Sequence, residues 1–250
     1  MNPFIGRIGG KKLLKKNIVD NYFPKDYENM IYVEPFVGGG SIYFYKNPSI
    51  YEVINDLDTN IIQLFRGFKK YNGKQISSDI NRTYDKEIFN YILNSNPKSE
   101  YQKFIKELIL IKASFYGLGK SNGIGSKDSP RSKISSNYQD KYNERLKHTI
   151  ILNKDCLQVV KKYDSPNTFF YLDPPYENSN NLYKHDFVDL NELFNLLNNI
   201  KGLFLLSYNN SDQAKILFKN YNIKVIKTKY SKSNEGGQHH VKKELLISNY

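Results

Sequence analysis

Apolar residues along this chain fall into two kinds of cluster. Short, nearly unbroken runs, "IYVE" (31–34), "YEVI" (51–54), "TFFYL" (168–172) and "GLFLLSY" (202–208), have the length of strands and no helical period, and predict buried strands. Between and after them, "TNIIQLFRGFKKY" (59–71), "DCLQVVKKY" (155–163), "VDLNELFNLLNNI" (188–200) and "DQAKILFKNY" (212–221) repeat apolar residues every three or four positions, the period of a helix with one buried face. Glycines 38–40 follow the first strand, and "SIYFYKN" (41–47) then predicts a helix with Ser41 near its N-cap. Such a βαβα start predicts a parallel sheet that binds ligands at the carboxyl ends of its strands. The chain closes on "IKVIKTKY" (223–230) and "VKKELLISNY" (241–250), joined by "SKSNEGGQHH" and expected to pair antiparallel.

The middle of the chain has another character. "DKEIFNYILN" and "SEYQKFIKELILIKASFYG" predict helices, the second with Phe104, Leu108 and Ile111 on one stripe. "GLGKSNGIGSKDSPRSKISSNYQD" (117–140) has no apolar face and reads as an exposed loop or irregular hairpin, followed by a short helix around "KYNERLK" and strand-like "TIILN". The expected organisation is one α/β domain in two parts, 1–65 and 148–250, split by a helical insertion at 66–147 with a basic loop at 117–138.

Composition narrows the class. The longest apolar stretches are far too short to span a bilayer, and the N-terminus is basic with no apolar core of a signal peptide. The lone Cys156 excludes an internal disulfide, which fits a reducing, cytoplasmic setting. No membrane partner and no metal are expected. The 37 basic residues against 25 acidic ones leave a net charge of +12, a balance suited to a polyanion such as nucleic acid. Only five of the basic residues are Arg, and the chain is crowded with Asn, Ile and Tyr, so drift in an AT-rich genome accounts for the charge equally well. Residues 117–148 hold seven Lys or Arg against three acids. This is a solvated loop or one that lays Lys120, Asn122, Arg131 and Lys133 on DNA.

Three stretches carry candidate chemistry. In "EPFVGGGS", glycines stand directly after a strand, where backbone can approach a ligand closely or simply turn. Tyr43 stands where a dinucleotide fingerprint needs its third glycine, and the "GLGKS" at 117–121 follows a helix and lacks the first glycine of a phosphate loop. Asp56 lies twenty-two residues after Glu34. It caps the following helix or holds the ribose hydroxyls of a nucleoside. In "YLDPPY", a buried strand ends on Asp173, Pro174, Pro175 and Tyr176. A rigid turn is one reading. The other is an acceptor cradle: the Asp173 carboxylate and the Pro174 carbonyl take both N–H bonds of an adenine amino group, held in place because proline fixes φ and adds no donor. Tyr176 would stack on a flipped base.

Asp-Pro-Pro-Tyr together with "YVEPFVGGGSIYF", "EVINDLDTNII" and "KKELLISNY" resembles the Dam-type (alpha-class) N6-adenine DNA methyltransferase family over nearly the whole chain. The resemblance implies a Rossmann-like methyltransferase sheet with an antiparallel C-terminal strand and an inserted, mainly helical target-recognition domain. It implies transfer of a methyl group from S-adenosyl-L-methionine to the N6 amino group of a flipped adenine in double-stranded DNA, with a restriction endonuclease as a possible partner and a bacterial or virus-infected cell as host. It places Lys11, Glu34, Pro35, Phe36, Gly38, Gly40, Asp56, Asp155 and Asp173 at the cofactor, Asp173 to Tyr176 at the reaction, and Ser207 in the target-base pocket. Asp155 reads equally as the N-cap of the next helix.

Departures from the family pattern also stand out. Arg7 and Ile8 replace the usual Trp-Ala before Gly-Gly-Lys, and no Arg-x-Asn pattern follows Phe115, so a relative's recognition sequence does not transfer. His239 and His240 stand where relatives carry arginine, and read as solvated loop residues. A cytosine-carbon methylase would need a cysteine nucleophile, and Cys156 lies outside a Pro-Cys context. The remaining alternatives are transfer to cytosine N4, RNA or a protein glutamine, and an inactive DNA-binding protein on the same fold.

Overall fold

A computed structural model of the chain describes residues 1, 3–4, 11–80, 86–113, 136–175, 188–231 and 239–250. Its elements, in chain order, begin with α1 (Lys15–Tyr22), β1 (Ile31–Glu34), β2 (Tyr51–Asn55) and α2 (Thr59–Lys70). The helices α3 (Gly73–Ile80), α4 (Lys86–Asn94), α5 (Glu100–Ala113) and α6 (Ser136–Leu146) follow, then β3 (Ile150–Leu152) and α7 (Cys156–Tyr163). The chain ends with β4 (Thr168–Leu172), α8 (Leu190–Leu197), β5 (Leu203–Asn209), α9 (Asp212–Leu217), β6 (Asn222–Ser231) and β7 (His239–Ser248). By packing, it divides into two compact units. One holds Met1–Lys12, Gly38–Phe44 and Asp58–Asn153; the other holds Leu13–Val37, Tyr45–Leu57 and Lys154–Tyr250.

The strands form a seven-stranded sheet in the order β3-β2-β1-β4-β5-β7-β6. β1 pairs parallel with β2 and β4, β4 pairs parallel with β5, and β7 runs antiparallel between β5 and β6. The α/β architecture with an antiparallel C-terminal strand is the one the sequence predicts. Every residue of β4 is buried, which is why its sequence is an unbroken apolar run: a central parallel strand has both faces covered.

Parallel neighbours in register share a face, so Glu52, Tyr32, Phe169 and Leu203 lie together on one side of the sheet. The Phe23 ring, following α1, covers this side, with centroids 4.8 Å from Phe169, 5.8 Å from Tyr171 and 6.1 Å from Tyr32. Tyr250 lies 6.2 Å from Phe169, and its hydroxyl donates to the Tyr22 carbonyl at 2.6 Å. Alternation along a strand returns Glu34 to this face two residues beyond Tyr32, and Asp173 two residues beyond Tyr171.

The helical unit is centred on rings. Phe4 packs 4.5 Å from Phe68 and 4.8 Å from Phe65, Phe44 stacks on Phe65 at 5.7 Å, and Phe104 of α5 meets Phe68 edge-on at 5.3 Å. Phe104, Leu108 and Ile111 are buried as their spacing predicts.

Three local expectations differ from what is observed, and two helices were not expected. Residues 41–47 form turns, not a helix. One helix-like bond, from Phe44 N–H to the Gly40 carbonyl at 2.9 Å, forms, but Ile42, Tyr43 and Phe44 are all buried, and Pro48 stops propagation. Helices α1 and α3 were not predicted. α3 ("GKQISSDI") buries Ile76 and Ile80, four residues apart, and the Asn72 side chain accepts from Gln75 N–H at its start. α6 begins at Ser136, inside the stretch expected to be irregular, and buries Tyr142 and Leu146 on one stripe. His239 and His240 are not loop residues; they open β7 in register with Ser231 and Tyr230. Among the described residues no helix is long and apolar enough to cross a membrane.

Candidate active site

Glu34 and Asp173 stand at the carboxyl ends of the neighbouring strands β1 and β4. Asp173 is half-buried, Pro174 is buried and Pro175 half-buried; Tyr176 lies outside the described residues. Glu34 is 2% exposed, and the Tyr32 hydroxyl donates to its Oε2 at 2.6 Å. Burial is the main force on this carboxyl, pushing its pKa up to about 8. The charges of Asp173 and Glu52 add to the rise, while the Tyr32 bond and the Lys46 charge oppose it.

Sequence reasoning missed the buried polar chain behind Glu34. Lys46, with its side chain wholly buried, donates to Glu52 at 2.5 Å, to Ser49 Oγ at 3.1 Å and to the Asn47 carbonyl at 3.0 Å. Its ammonium also sits 4.0 Å from the centre of the Tyr32 ring. Polar residues inside apolar strand runs, Glu52 in "YEVI" and Glu34 in "IYVE", are the only signal the sequence offers for it.

Asn55 is the second residue that was missed. It is 1% exposed and ties three segments together. Its Nδ2 donates to the Pro35 carbonyl at 3.0 Å and to the Lys154 carbonyl at 2.9 Å, its Oδ1 accepts from Lys154 N–H at 2.9 Å, and its own carbonyl accepts from Val37 N–H at 2.8 Å. The segment after β1, the end of β2 with the half-buried Asp56, and the turn before Asp155 are thus fixed to one side chain. The helix cap after β2 is Asp58, which accepts from Asn60 N–H at 3.0 Å, so capping does not explain Asp56. Asp155 is the N-cap of α7, accepting from Gln158 N–H at 3.0 Å while remaining exposed.

In the other unit, Gly38 and Gly40 have positive φ, +48° and +75°, the left-handed conformation that a Cβ disfavours. A Cβ at Gly38 would meet nothing within 4 Å; one at Gly40 would stand 2.8 Å from the Phe44 ring. Lys11 is 3% exposed.

Ser207, assigned to the base pocket, is fully buried in β5, and its hydroxyl makes a long contact of 3.4 Å with the buried Glu244 of β7. Lys120, Asn122, Arg131 and Lys133 lie outside the described residues, as does the rest of the basic loop. Cys156 is buried, and burial pushes its thiol up to about 12, which holds it in the non-nucleophilic form. No cluster of metal-ligating side chains occurs among the described residues.

The chain is similar to known type II methyltransferases. A type II methyltransferase, M.CviBI of Paramecium bursaria Chlorella virus NC1A, is 28% identical over 186 residues, covering 71% of this chain and 70% of that protein. M1.LlaDCHI of Lactococcus lactis subsp. cremoris, also a type II methyltransferase, is 26% identical and covers 100% of this chain and 96% of the relative. M.MjaIII of Methanocaldococcus jannaschii, of the same type, is 26% identical, with 100% and 99% covered. Residues 8–232 match the family described as D12 class N6 adenine-specific DNA methyltransferase, and the chain belongs to that family.

Proposed function

We propose that the chain methylates adenine N6 at a specific site in double-stranded DNA with S-adenosyl-L-methionine as donor, and that Asp173 and Pro174 hold the reacting amino group. The observation that carries this reading is the Asp173-Pro174-Pro175 exit from the buried strand β4. It sets a half-buried carboxylate beside a buried, φ-locked backbone. An adenine amino nitrogen has its lone pair delocalised into the ring, and two fixed acceptors on its N–H bonds favour the tetrahedral form that can attack. Bound S-adenosyl-L-methionine supplies an electrophilic methyl group on a sulfonium, taken in line with no covalent enzyme intermediate. Tyr176 serves as the stacking floor for the flipped base.

The residues fit that donor. Asp56 is a half-buried acid directly after the Asn55 tie at the carboxyl end of β2, and suits the two ribose hydroxyls. Glu34, Pro35 and Phe36 line the methionine end, and the exposed Asp155 faces the nucleoside base while it caps α7. Lys11, Gly38 and Gly40 keep the cofactor roles that the family pattern gives them, supported by the open position at Gly38. The insertion at 66–147 is the target-recognition region, with Lys120, Asn122, Arg131 and Lys133 on DNA. Ser207 acts from beneath the base pocket through Glu244. The type II names of the relatives support a restriction endonuclease partner, and DNA as substrate supports action in the cytoplasm.

Nucleoside mass spectrometry and modification-sensitive sequencing of DNA from a methylation-deficient host that expresses the chain test the reading. N6-methyladenine confined to one short motif is expected. N4-methylcytosine in its place would overturn the choice of base, and binding of DNA and cofactor without transfer would favour an inactive DNA-binding protein.

A further inference from the structure

Methyl transfer to an amino group changes the charge of the site. The donor enters as a cation and leaves as a neutral thioether, and the nitrogen that gains a methyl group loses a proton. A buried site tolerates this best if one of its own groups loses a proton when the cation arrives and regains one when the cation is consumed.

Glu34 has the surroundings for this task. It is almost fully enclosed, accepts from Tyr32 on one oxygen, and makes no ion pair among the described residues. The ammonium whose charge bears on it, Lys46, bonds to Glu52, Ser49 and Asn47, and faces the Tyr32 ring. The groups that bear on Glu34 are Tyr32 in β1, Lys46, Glu52 in β2, and Asp173 after β4. Burial and the two acids favour its neutral form, and Lys46 and Tyr32 keep ionisation within reach.

We propose that Glu34 balances the charge of the reaction: protonated in the free enzyme, it gives up its proton when the sulfonium donor binds and takes one back at methyl transfer. This rests on the cofactor place proposed above. The N6 lone pair forms the new N–C bond and the C–S pair withdraws to sulfur. The pair of one N–H bond then returns to nitrogen as its proton passes to the Asp173 carboxylate and on to Glu34. One proton is released per turnover, at donor binding. Tyr32 and Lys46 are positioning residues that set how readily Glu34 ionises.

Calorimetry in buffers of different protonation enthalpy tests this, comparing S-adenosyl-L-methionine with S-adenosyl-L-homocysteine, which shares its amino-acid end but lacks the charge. Near pH 7 the sulfonium ligand is expected to release close to one proton and the thioether none. Because Glu34 must ionise, affinity for the sulfonium should rise about tenfold per pH unit below pH 8 and flatten above it, with no such rise for the thioether. Glu34→Gln should abolish both the release and the rise. Tyr32→Phe removes a bond that favours the ionised form, so its rising limb should move to higher pH, which gives an independent reading if Glu34→Gln folds poorly. Sulfonium binding without proton release, or release that survives in Glu34→Gln, overturns the proposal. The cofactor place is judged separately by Asp56→Ala, which should weaken both ligands; unchanged affinity there would sink the place itself.

Discussion

Strands β1 and β4 lie side by side and run in the same direction, and each leads into an acid followed by proline: Glu34-Pro35 at the end of β1 and Asp173-Pro174 directly after β4. Beyond that point they part. After β1 the chain runs through Val37, whose N–H is held by Asn55, into glycines with positive φ at Gly38 and Gly40. After β4 it runs into a second proline. The first exit gains conformational freedom and clears space, since a side chain at Gly38 would fill an open position. The second gives freedom up, because two consecutive prolines fix φ and offer no competing donors. In the function proposed above, the exit without Cβ is the one that would lie against the cofactor, and the exit without N–H is the one that would hold acceptors still.

Substitutions at the two exits should therefore fail in different ways. Asp173→Ala is expected to lower turnover about a thousandfold while DNA affinity stays within about threefold, measured by labelled methyl transfer and by equilibrium binding; unchanged turnover would remove Asp173 from the reaction. Gly40→Ala puts a Cβ 2.8 Å from the Phe44 ring at a φ of +75°, so thermal unfolding should show a loss of about 2–4 kcal/mol. Gly38→Ala has the same handedness penalty but open space, and should lose only about 1 kcal/mol; equal losses would deny that packing separates the two glycines. Asn55→Ala leaves the buried Pro35 carbonyl and the part-buried Lys154 carbonyl without this donor. It should lose about 1–3 kcal/mol together with cofactor affinity, read by chemical denaturation and by titration of the cofactor. Asp155→Ala should lose about 1 kcal/mol of cap stability, whereas Asp155→Asn keeps the cap. If the Asn variant also binds cofactor normally, the residue is a cap alone.

The strands were legible because a central parallel strand must be apolar on both faces, and "TFFYL" can be little else. The antiparallel last strand could be read from the apolar run in "VKKELLISNY" and the turn residues ahead of it. Helix α3 was not legible, since two isoleucines in eight residues give too faint a period, and its stability comes from burying Ile76 and Ile80 in the helical unit. The stretch 41–47 misled for the opposite reason: it is apolar enough for a helix, but its rings are drawn into packing one by one. At the site, the acids were visible as residue types at strand ends. Asn55 and the chain from Lys46 to Glu34 were not, because a buried polar side chain shows its purpose only through its partners, and Asn55 meets Lys154 from ninety-nine positions away.

Strand β7 follows β6 in the sequence, yet it lies between β5 and β6. β5 and β6 each pair with β7 on that side of the sheet, so their native bonds there require residues up to 248. Folding of this sheet therefore cannot proceed by adding strands in the order they are made. Its far edge is complete only once β7 has entered between β5 and β6.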